Sequence, residues 1–182
     1  MAISDISAHA ELEETLRRQL THDQLTSVLS WYGLNQTLAN IELERTSRPD
    51  LNFACLHINI DNFSAINDVF GRYVGDEVLL EVVRRIRSLI AEADGIVARP
   101  GADDFVVLIR SQSLEAAKAN AERLVTAIGE KAVTHEGTSC SITASVGIAF
   151  LISGLPANEA VDQAGRACQA AKRAGGDRLQ RL

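Results

Sequence analysis

Apolar residues recur along the chain in two spacings, and these spacings predict alternating helices and strands. Residues 53–60 are almost all apolar, which predicts a strand buried on both faces. Residues 141–150 predict a further strand, and apolar runs at 96–99 and 105–109 enclose a five-residue turn with glycine that is typical of a hairpin. Helices are predicted from Trp31 to the break at Arg48, over 64–70, from Gly75 to the break at Gly95, from an N-cap at Ser113 to Ile128, and over 158–174. This order predicts an α/β fold with a mixed sheet.

The first twenty residues follow a different pattern. Between residues 10 and 20 the chain is charged, and Leu12, Leu16 and Leu20 lie four residues apart, which places them in one narrow stripe of a helix. A stripe of this width buries little surface by itself and usually packs against a partner helix. Two interpretations are open: the helix folds back on its own domain, or it pairs with a second helix.

Composition limits the functional classes. The 182 residues are enough for one domain with a short appendage, and 24 acidic against 18 basic residues do not provide the basic face that nucleic acid needs. The three cysteines are far apart and form no CxxC, as expected of buried thiols in a reducing compartment. The chain has neither the run of roughly 18 apolar residues that spans a membrane nor a signal-peptide pattern. We therefore expect a soluble, cytoplasmic domain with no membrane segment.

Charged residues cluster where the predicted strands and helices end. Asn59-Ile60-Asp61 closes the first strand, Asp103-Asp104 lies in the hairpin turn, and Lys172 precedes Gly175-Gly176 at the end of the last helix. Carboxylates from adjacent strand ends can hold Mg²⁺ against a phosphate, and a lysine offsets phosphate charge. The alternative is a solvated turn together with a lysine that complements the helix dipole.

A series of motifs, in order along the chain, resembles the GGDEF family of diguanylate cyclases. The hallmark hairpin Gly-Gly-Asp/Glu-Glu-Phe corresponds to Gly101-Ala102-Asp103-Asp104-Phe105, preceded by Arg99. The other motifs are Asp23-Gln24-Leu25-Thr26, the stretch from Asn59 to Asp68, Gly75-Asp76, Thr143-Ala144-Ser145-Val146-Gly147 and Ala171-Lys172-Arg173-Ala174-Gly175. Together the motifs cover residues 21–178.

The resemblance implies a fold and a reaction. The fold is the palm-like α/β arrangement of nucleotide cyclases, with a central, mostly antiparallel sheet flanked by helices and, here, an N-terminal signalling helix. In the reaction, two GTP molecules on two facing domains condense to cyclic di-GMP and release pyrophosphate, while Mg²⁺ neutralises phosphate charge. The implied cofactor is therefore Mg²⁺, bound together with GTP as substrate or regulatory ligand.

The resemblance also implies roles for individual residues. Asn67 and Asp76 would read guanine, because a carboxylate accepts from the ring N–H and the exocyclic amine while an amide both donates and accepts. The alternative is that Asn67 caps a turn and Asp76 caps a helix. Asp103 and Asp104 would be catalytic. The further substrate contacts would be Phe63, Gly101, Ala102 and Lys172, and the metal ligands would be Asn59, Ile60, Asp61, Asp103 and Asp104.

Several positions depart from the family pattern. Asn59 replaces a metal-binding aspartate, Ser64 a lysine, Ala102 the second hairpin glycine, Asp104 the hairpin glutamate and Gly176 an arginine. An amide brings no charge to Mg²⁺, and a methyl group at a position that needs φ > 0 would cost about 1–2 kcal/mol. These changes predict impaired catalysis. The Arg-x-x-Asp product-inhibition motif of many members is also absent, since its ends are Glu92 and Gly95 and the nearby Asp94 is one residue out of register.

The start of the chain, with Ile3-Ser4-Asp5-Ile6, a charged helix and His22-Asp23, is similar to the link between a sensory PAS domain and a GGDEF domain. The resemblance thus implies two parts, with residues 1–20 as a signalling helix or linker from an upstream PAS-like domain and residues 21–182 as the GGDEF domain. The predicted function is a catalytically impaired regulatory, GTP-binding or dimerisation module of cyclic di-GMP signalling. The alternatives are a diguanylate cyclase of low activity and a structural dimerisation unit that binds no nucleotide. The expected partners are GTP or cyclic di-GMP, a second copy through the N-terminal helix, and a phosphodiesterase domain as one candidate neighbour, with no nucleic acid.

Overall fold

The computed structural model describes residues 2–91, 95–111, 113–152 and 154–181, with side chains from residue 11 onward. Within these ranges the helices are α1 (Ala2–Thr21), α2 (Trp31–Ser47), α3 (Phe63–Phe70), α4 (Arg72–Ile90), α5 (Leu114–Gly129) and α6 (Ala157–Arg173). The strands are β1 (Phe53–Ile60), β2 (Ile96–Gly101), β3 (Asp104–Arg110), β4 (Val133–His135), β5 (Thr138–Cys140), β6 (Ala144–Leu151) and β7 (Arg178–Arg181).

A central sheet of five strands has the order β2-β3-β1-β6-β7. β2 pairs antiparallel with β3, β3 with β1, and β1 with β6. β7 pairs parallel with β6 at the edge of the sheet. β4 and β5 form a separate hairpin. The expected α/β fold, with a mostly antiparallel central sheet flanked by helices, is therefore confirmed.

Each face of the sheet is covered by helices, so the molecule has two cores. On one face, α4 and α5 pack over residues such as Leu56, Ile58 and Val107. On the other face, α2 and α6 pack over residues such as Cys55 and Leu108. Because successive side chains of a strand point to opposite faces, a run covered on both faces is apolar throughout. This explains why the predicted bounds of β1 agree with the structure.

The helix that carries Asp76 begins earlier than predicted. α4 starts at Arg72, directly after Gly71, which has φ +86° and ends α3. Gly75 and Asp76 therefore lie inside the helix, and the prediction that Gly75 opens it is wrong. The alternative roles are wrong too, because Asp76 is not the cap of α4 and Asn67 lies within α3 rather than in a turn.

The strand predictions need further corrections. The hairpin turn is two residues long, Ala102 and Asp103, because β2 extends to Gly101, which pairs with Asp104. β6 starts three residues later than predicted, at Ala144. The sequence analysis also missed β4, β5 and β7, which are three or four residues long and carry no apolar run.

α1 contacts α2 and leaves its leucine stripe exposed. Leu12, Leu16 and Leu20 are 56%, 51% and 63% exposed. The interpretation that this stripe folds back on its own domain is therefore wrong. No helix in the described ranges combines the length and apolar character that crossing a membrane requires. The three cysteines are buried free thiols, as predicted.

Candidate active site at the β1 and hairpin ends

The register of the sheet brings Asn59 and Asp104 together at one end. Asn59 on β1 pairs directly with Asp104 on β3. The Asn59 amide Nδ2 donates to Asp104 Oδ1 over 2.8 Å, and His57 Nε2 lies 3.1 Å from the same oxygen. His57 and Asn59 are two residues apart on one strand and so face the same side, beneath α6. Two polar side chains, those of Asn59 and His57, therefore meet at one oxygen of the Asp104 carboxylate.

The pKa of Asp104 reflects this arrangement. Burial by itself would raise the pKa, but the hydrogen bonds from His57 and Asn59, together with the charges of His57 and Lys172, lower it below 3.8. Both hydrogen bonds end on Oδ1, and Oδ2 accepts none from the described residues. One oxygen of the Asp104 carboxylate is thus still available to a ligand.

Asp61 is held by three hydrogen bonds. Thr143 donates to Oδ2 over 2.8 Å, Ser145 donates to Oδ1 over 2.7 Å, and the backbone N–H of Asp177 donates to Oδ2 over 2.9 Å. A Cβ on Gly176, which has φ +74°, would lie 2.9 Å from Oδ2. Asp61 therefore fastens the end of β1 to β6 and to the turn after α6.

A cleft of about 670 Å³ lies beside Asp61, in the size range of small-molecule sites. Lys172 enters it from the end of α6 and forms no salt bridge with a described residue. The structure brings these predicted site residues together in the cleft: Ile60, Asp61, Phe63, Asp103 and Lys172, with Ser64 and Gly176 beside them. Ile60 has a fully buried side chain, so its main chain alone could contact a ligand.

Asn67 and Asp76 lie outside that cleft, on the facing helices α3 and α4. A Cβ on Gly75 would lie 1.9 Å from Asn67 Oδ1, so the glycine provides the space in which the Asn67 carboxamide sits. Neither the Asn67 carboxamide nor the Asp76 carboxylate has a hydrogen bond to another described side chain, and Asp76 is exposed. Both groups are available to a ligand between the two helices.

Gly101 and Ala102 occupy the hairpin end, where Arg99 fixes the backbone. Arg99 donates to the Ala102 carbonyl from Nε over 3.0 Å and from Nη2 over 2.6 Å, and Nη1 lies 3.0 Å from Asp23 Oδ1. Ala102 is absent from the described residues with positive φ, so its methyl group carries no backbone penalty. The conditional cost assigned to Ala102 above therefore does not apply.

Asp23 joins the start of the domain to this hairpin. It accepts hydrogen bonds from the backbone and the hydroxyl group of Thr26 and pairs with Arg99. Burial raises the pKa of Asp23, but these hydrogen bonds and the Arg99 charge outweigh burial and bring the pKa below 3.8. The end of α1 is thereby connected to the backbone that carries Asp103.

Comparison with known proteins identifies the family. Residues 20–178 match the family model described as "Diguanylate cyclase, GGDEF domain". The chain belongs to the GGDEF family. It is 38% identical over 173 residues to diguanylate cyclase DgcP of Pseudomonas aeruginosa, covering 94% of this chain and 25% of that protein. It is 37% identical over 131 residues to the bifunctional diguanylate cyclase/cyclic di-GMP phosphodiesterase MucR of the same species, covering 71% and 18%. The matched part of the chain thus spans a quarter or less of the length of these relatives.

Solved structures extend the likeness to the N-terminal helix. The coiled coil and GGDEF domain of DgcB from Caulobacter crescentus, in complex with c-di-GMP, superposes with a TM-score of 0.90 at 22% identity and covers 100% of this chain and 95% of that one. Diguanylate cyclase SiaD from Pseudomonas aeruginosa, in complex with its activator SiaC, gives a TM-score of 0.82 at 28% identity, with coverage of 100% and 70%. The palm-like fold with an N-terminal helix is thereby confirmed.

Mg²⁺, which the family implies, is matched by oxygen donors at the ends of β1 and of the hairpin. Asn59 is 6% exposed and its Oδ1 is buried without a hydrogen-bond partner, as a vacant ligand oxygen would be. Asp103 and Asp104 supply carboxylates and Ile60 a carbonyl, which are the oxygen donors that Mg²⁺ prefers. These residues could hold the ion, which would neutralise phosphate charge, but with one negative charge fewer than a site with an aspartate at position 59.

His57 is a polar residue of the site that no motif of the family marks. His57 was missed by the sequence analysis; the signal was a polar residue inside an apolar strand, two places before Asn59 and hence on the same face. Of the absent inhibition motif, Glu92 and Asp94 lie outside the described residues.

Proposed function

We propose that this domain is a catalytically impaired GGDEF module that binds GTP and has a regulatory rather than a synthetic role in cyclic di-GMP signalling. The observation that carries the proposal is the hydrogen bond from the Asn59 amide to Asp104 Oδ1. A carboxylate at position 59 would share a cation with Asp104, whereas the amide satisfies Asp104 without one. The site therefore has less need of Mg²⁺ and less charge with which to hold it.

The expected loss of catalytic rate follows from the charges that are missing at positions 59 and 64. Each 1.36 kcal/mol lost from the stabilisation of the transition state slows the reaction about tenfold, and metal and phosphate contacts usually supply several kcal/mol. Asn59 removes a charge from the metal site, and Ser64 removes a cation at the edge of the cleft. We expect a loss of about a thousandfold in rate relative to a site with aspartate and lysine at these positions.

Guanine recognition is the part of the site that is retained. Asn67 and Asp76 have the donors and acceptors that match guanine, and both are free of hydrogen bonds to described side chains. The Asn67 carboxamide is seated against Gly75. Binding of GTP depends on these groups more than on the metal ligands.

The test is a GTP titration by calorimetry, with and without Mg²⁺, followed by chromatography of the same mixture for cyclic di-GMP. Binding without product is expected. Product at a rate typical of enzymes, about 1 per second or more, would refute the impairment. Absence of binding at millimolar GTP would refute the nucleotide role, and Asn67→Ala serves as the control for binding through guanine.

A cyclase of low activity is the second candidate, because Asp103 and Lys172 share one cleft. It predicts that Asn59→Asp, Ser64→Lys and Ala102→Gly together raise the activity. Asn59→Asp and Ser64→Lys are expected to supply most of the gain, since Ala102 has an ordinary backbone conformation. An inert triple variant would contradict this account of the defect.

We further propose that residues 1–20 form a signalling helix that links residues 21–182 to an upstream PAS-like domain and pairs with its copy. The exposed stripe of Leu12, Leu16 and Leu20 supports pairing. Sedimentation equilibrium tests it: the chain is expected to dimerise, and Leu16→Lys to dissociate the dimer. A dimer that survives this substitution would rule out the leucine stripe as the interface. A dimer that also binds no GTP would favour the alternative function, a structural dimerisation unit without nucleotide binding.

A further inference from the structure

A polar cleft of about 520 Å³ lies between α1 and α2, in the size range of small-molecule sites. Its base is the joint between the two helices, where Ser30 Oγ donates to the Leu20 carbonyl over 2.7 Å and the Ser30 N–H donates to the Thr21 carbonyl over 2.8 Å. A Cβ on Gly33 would lie 2.2 Å from the same Thr21 oxygen, so the two helices meet there through their backbones. The base of the cleft is therefore held in place by backbone contacts.

The charged groups that line this cleft are mainly positive. Arg17 and Arg18 of α1 and the following His22 line it, and Glu14 is the one carboxylate among its described lining residues. The whole chain has a net charge of −6, so the cleft reverses the overall sign. Both arginines are exposed and neither forms a salt bridge with a described residue, although Glu14 lies one helical turn before Arg18. Both guanidinium groups are therefore available to an anion.

The cleft and the leucine stripe lie on different faces of α1. At 100° per residue, the centre of the four α1 residues in the cleft lies about 150° around the helix from the centre of the leucine stripe. Those four residues are Glu14, Arg17, Arg18 and Thr21. The polar face of α1 is thus directed to α2 while the leucine stripe is exposed. An anion in the cleft would hold α1 against α2 without occupying the surface proposed for pairing.

The side chains of the cleft match a phosphorylated molecule. A guanidinium group forms two parallel hydrogen bonds with phosphate oxygens, so adjacent arginines can bind more than one phosphate group. The remaining lining residues include uncharged polar side chains that can bond the rest of a larger molecule: Ser27, Gln36, Thr37 and Asn40. We propose that Arg17 and Arg18, with His22 beside them, bind the phosphate groups of a small molecule that carries a diphosphate. None of the residues assigned to GTP or Mg²⁺ lines this cleft, so the proposal is independent of the proposed function.

The test is a calorimetric titration of the whole chain with inorganic pyrophosphate and, in parallel, with ADP. EDTA is present, so that no divalent cation can hold phosphate at the carboxylates near Asp61. Salt is kept at about 0.15 M, where exposed charges more than about 8 Å apart are largely screened. We expect saturable binding at one site. Tighter binding of ADP would show that the polar wall contacts the nucleoside, and equal binding would show that the phosphates alone are recognised.

Variants assign the binding to this cleft. Arg17→Gln and Arg18→Gln are each expected to weaken pyrophosphate binding by about tenfold, because each removes a charge-assisted pair of hydrogen bonds. The circular dichroism spectrum should not change, since both side chains are exposed and form no salt bridge with a described residue. Arg123→Gln is the matched control, because Arg123 is an exposed arginine on α5 outside the cleft, and it should leave the affinity unchanged.

Three results would overturn the proposal. The first is no saturable binding of pyrophosphate at millimolar concentration, and the second is equal affinity in wild type and the double variant of Arg17 and Arg18. The third is binding that Lys172→Gln abolishes and the arginine variants retain, which would place the anion in the cleft beside Asp61. Asn67→Ala, which tests guanine binding, is expected to leave the pyrophosphate affinity unchanged, so failure of either proposal can be recognised separately.

Discussion

Replacing Asn59 by aspartate should make the stability of the domain depend on a divalent cation. In the present structure the Asn59 amide donates to Asp104 over 2.8 Å. Asn59→Asp removes that hydrogen bond to a charged group, worth about 1.5–3 kcal/mol, and sets two negative oxygens close together. At 4 Å such a pair repels by about 4 kcal/mol near a protein surface, and solvent at the partly exposed Asp104 reduces this further. We expect a net destabilisation of about 3 kcal/mol.

The assay is thermal unfolding followed by circular dichroism, with EDTA or with Mg²⁺. For a chain of this length, about 3 kcal/mol lowers the Tm by about 6–12 °C. Mg²⁺ at about 100 times its Kd would return about 2.7 kcal/mol, nearly the whole loss. Asn35→Asp is the control, because the Asn35 amide bonds only the Trp31 carbonyl among the described residues. A variant as stable as wild type in EDTA, or one that Mg²⁺ does not restore, would refute the reasoning.

Three other variants test the site. Gly75→Ala puts a Cβ 1.9 Å from Asn67 Oδ1, so we expect GTP affinity to fall by about tenfold as the carboxamide moves; unchanged calorimetric affinity would contradict the role of Asn67. Gly176→Arg should lower the free energy of unfolding in urea by about 1–2 kcal/mol, because φ is +74° and the new Cβ crowds Asp61; a stabilised variant would be the contrary result. Asp23→Asn should be less stable than wild type above about pH 4, with a difference that shrinks as pH falls through the lowered pKa of Asp23, and a pH-independent difference would contradict this.

The sequence was most informative where burial acts on a whole element. The bounds of β1 follow from an apolar run that both cores require. Ser113 was predicted as the N-cap of α5, and its side chain accepts from the Ala116 N–H. β7 could not be found in this way, because Leu179 is the one apolar residue in Arg178–Arg181 and a single apolar residue shows no periodicity.

The candidate site was predicted in part, because a motif names residues but not their contacts. Asp103 and Lys172 share a cleft with Asp61, as their positions at strand and helix ends led us to expect. The contact of His57 with Asp104 depends on the register in which Asn59 faces Asp104, and a sequence does not state a register. The predicted start of α4 was wrong because the sequence does not show which glycine separates the two helices. Gly71 does so with a positive φ, whereas Gly75 lies inside α4 and allows the close approach of Asn67.

Asp61 has a consequence for how members of this family are judged from sequence. Its carboxylate ties β1 to β6 through Thr143 and Ser145 and holds the turn at Asp177. These bonds stabilise the end of β1 whether or not the domain turns over GTP. The presence of Asp61, Thr143 and Ser145 in a sequence therefore indicates that the fold is preserved. It does not indicate catalytic activity in a chain that, like this one, has no aspartate at position 59.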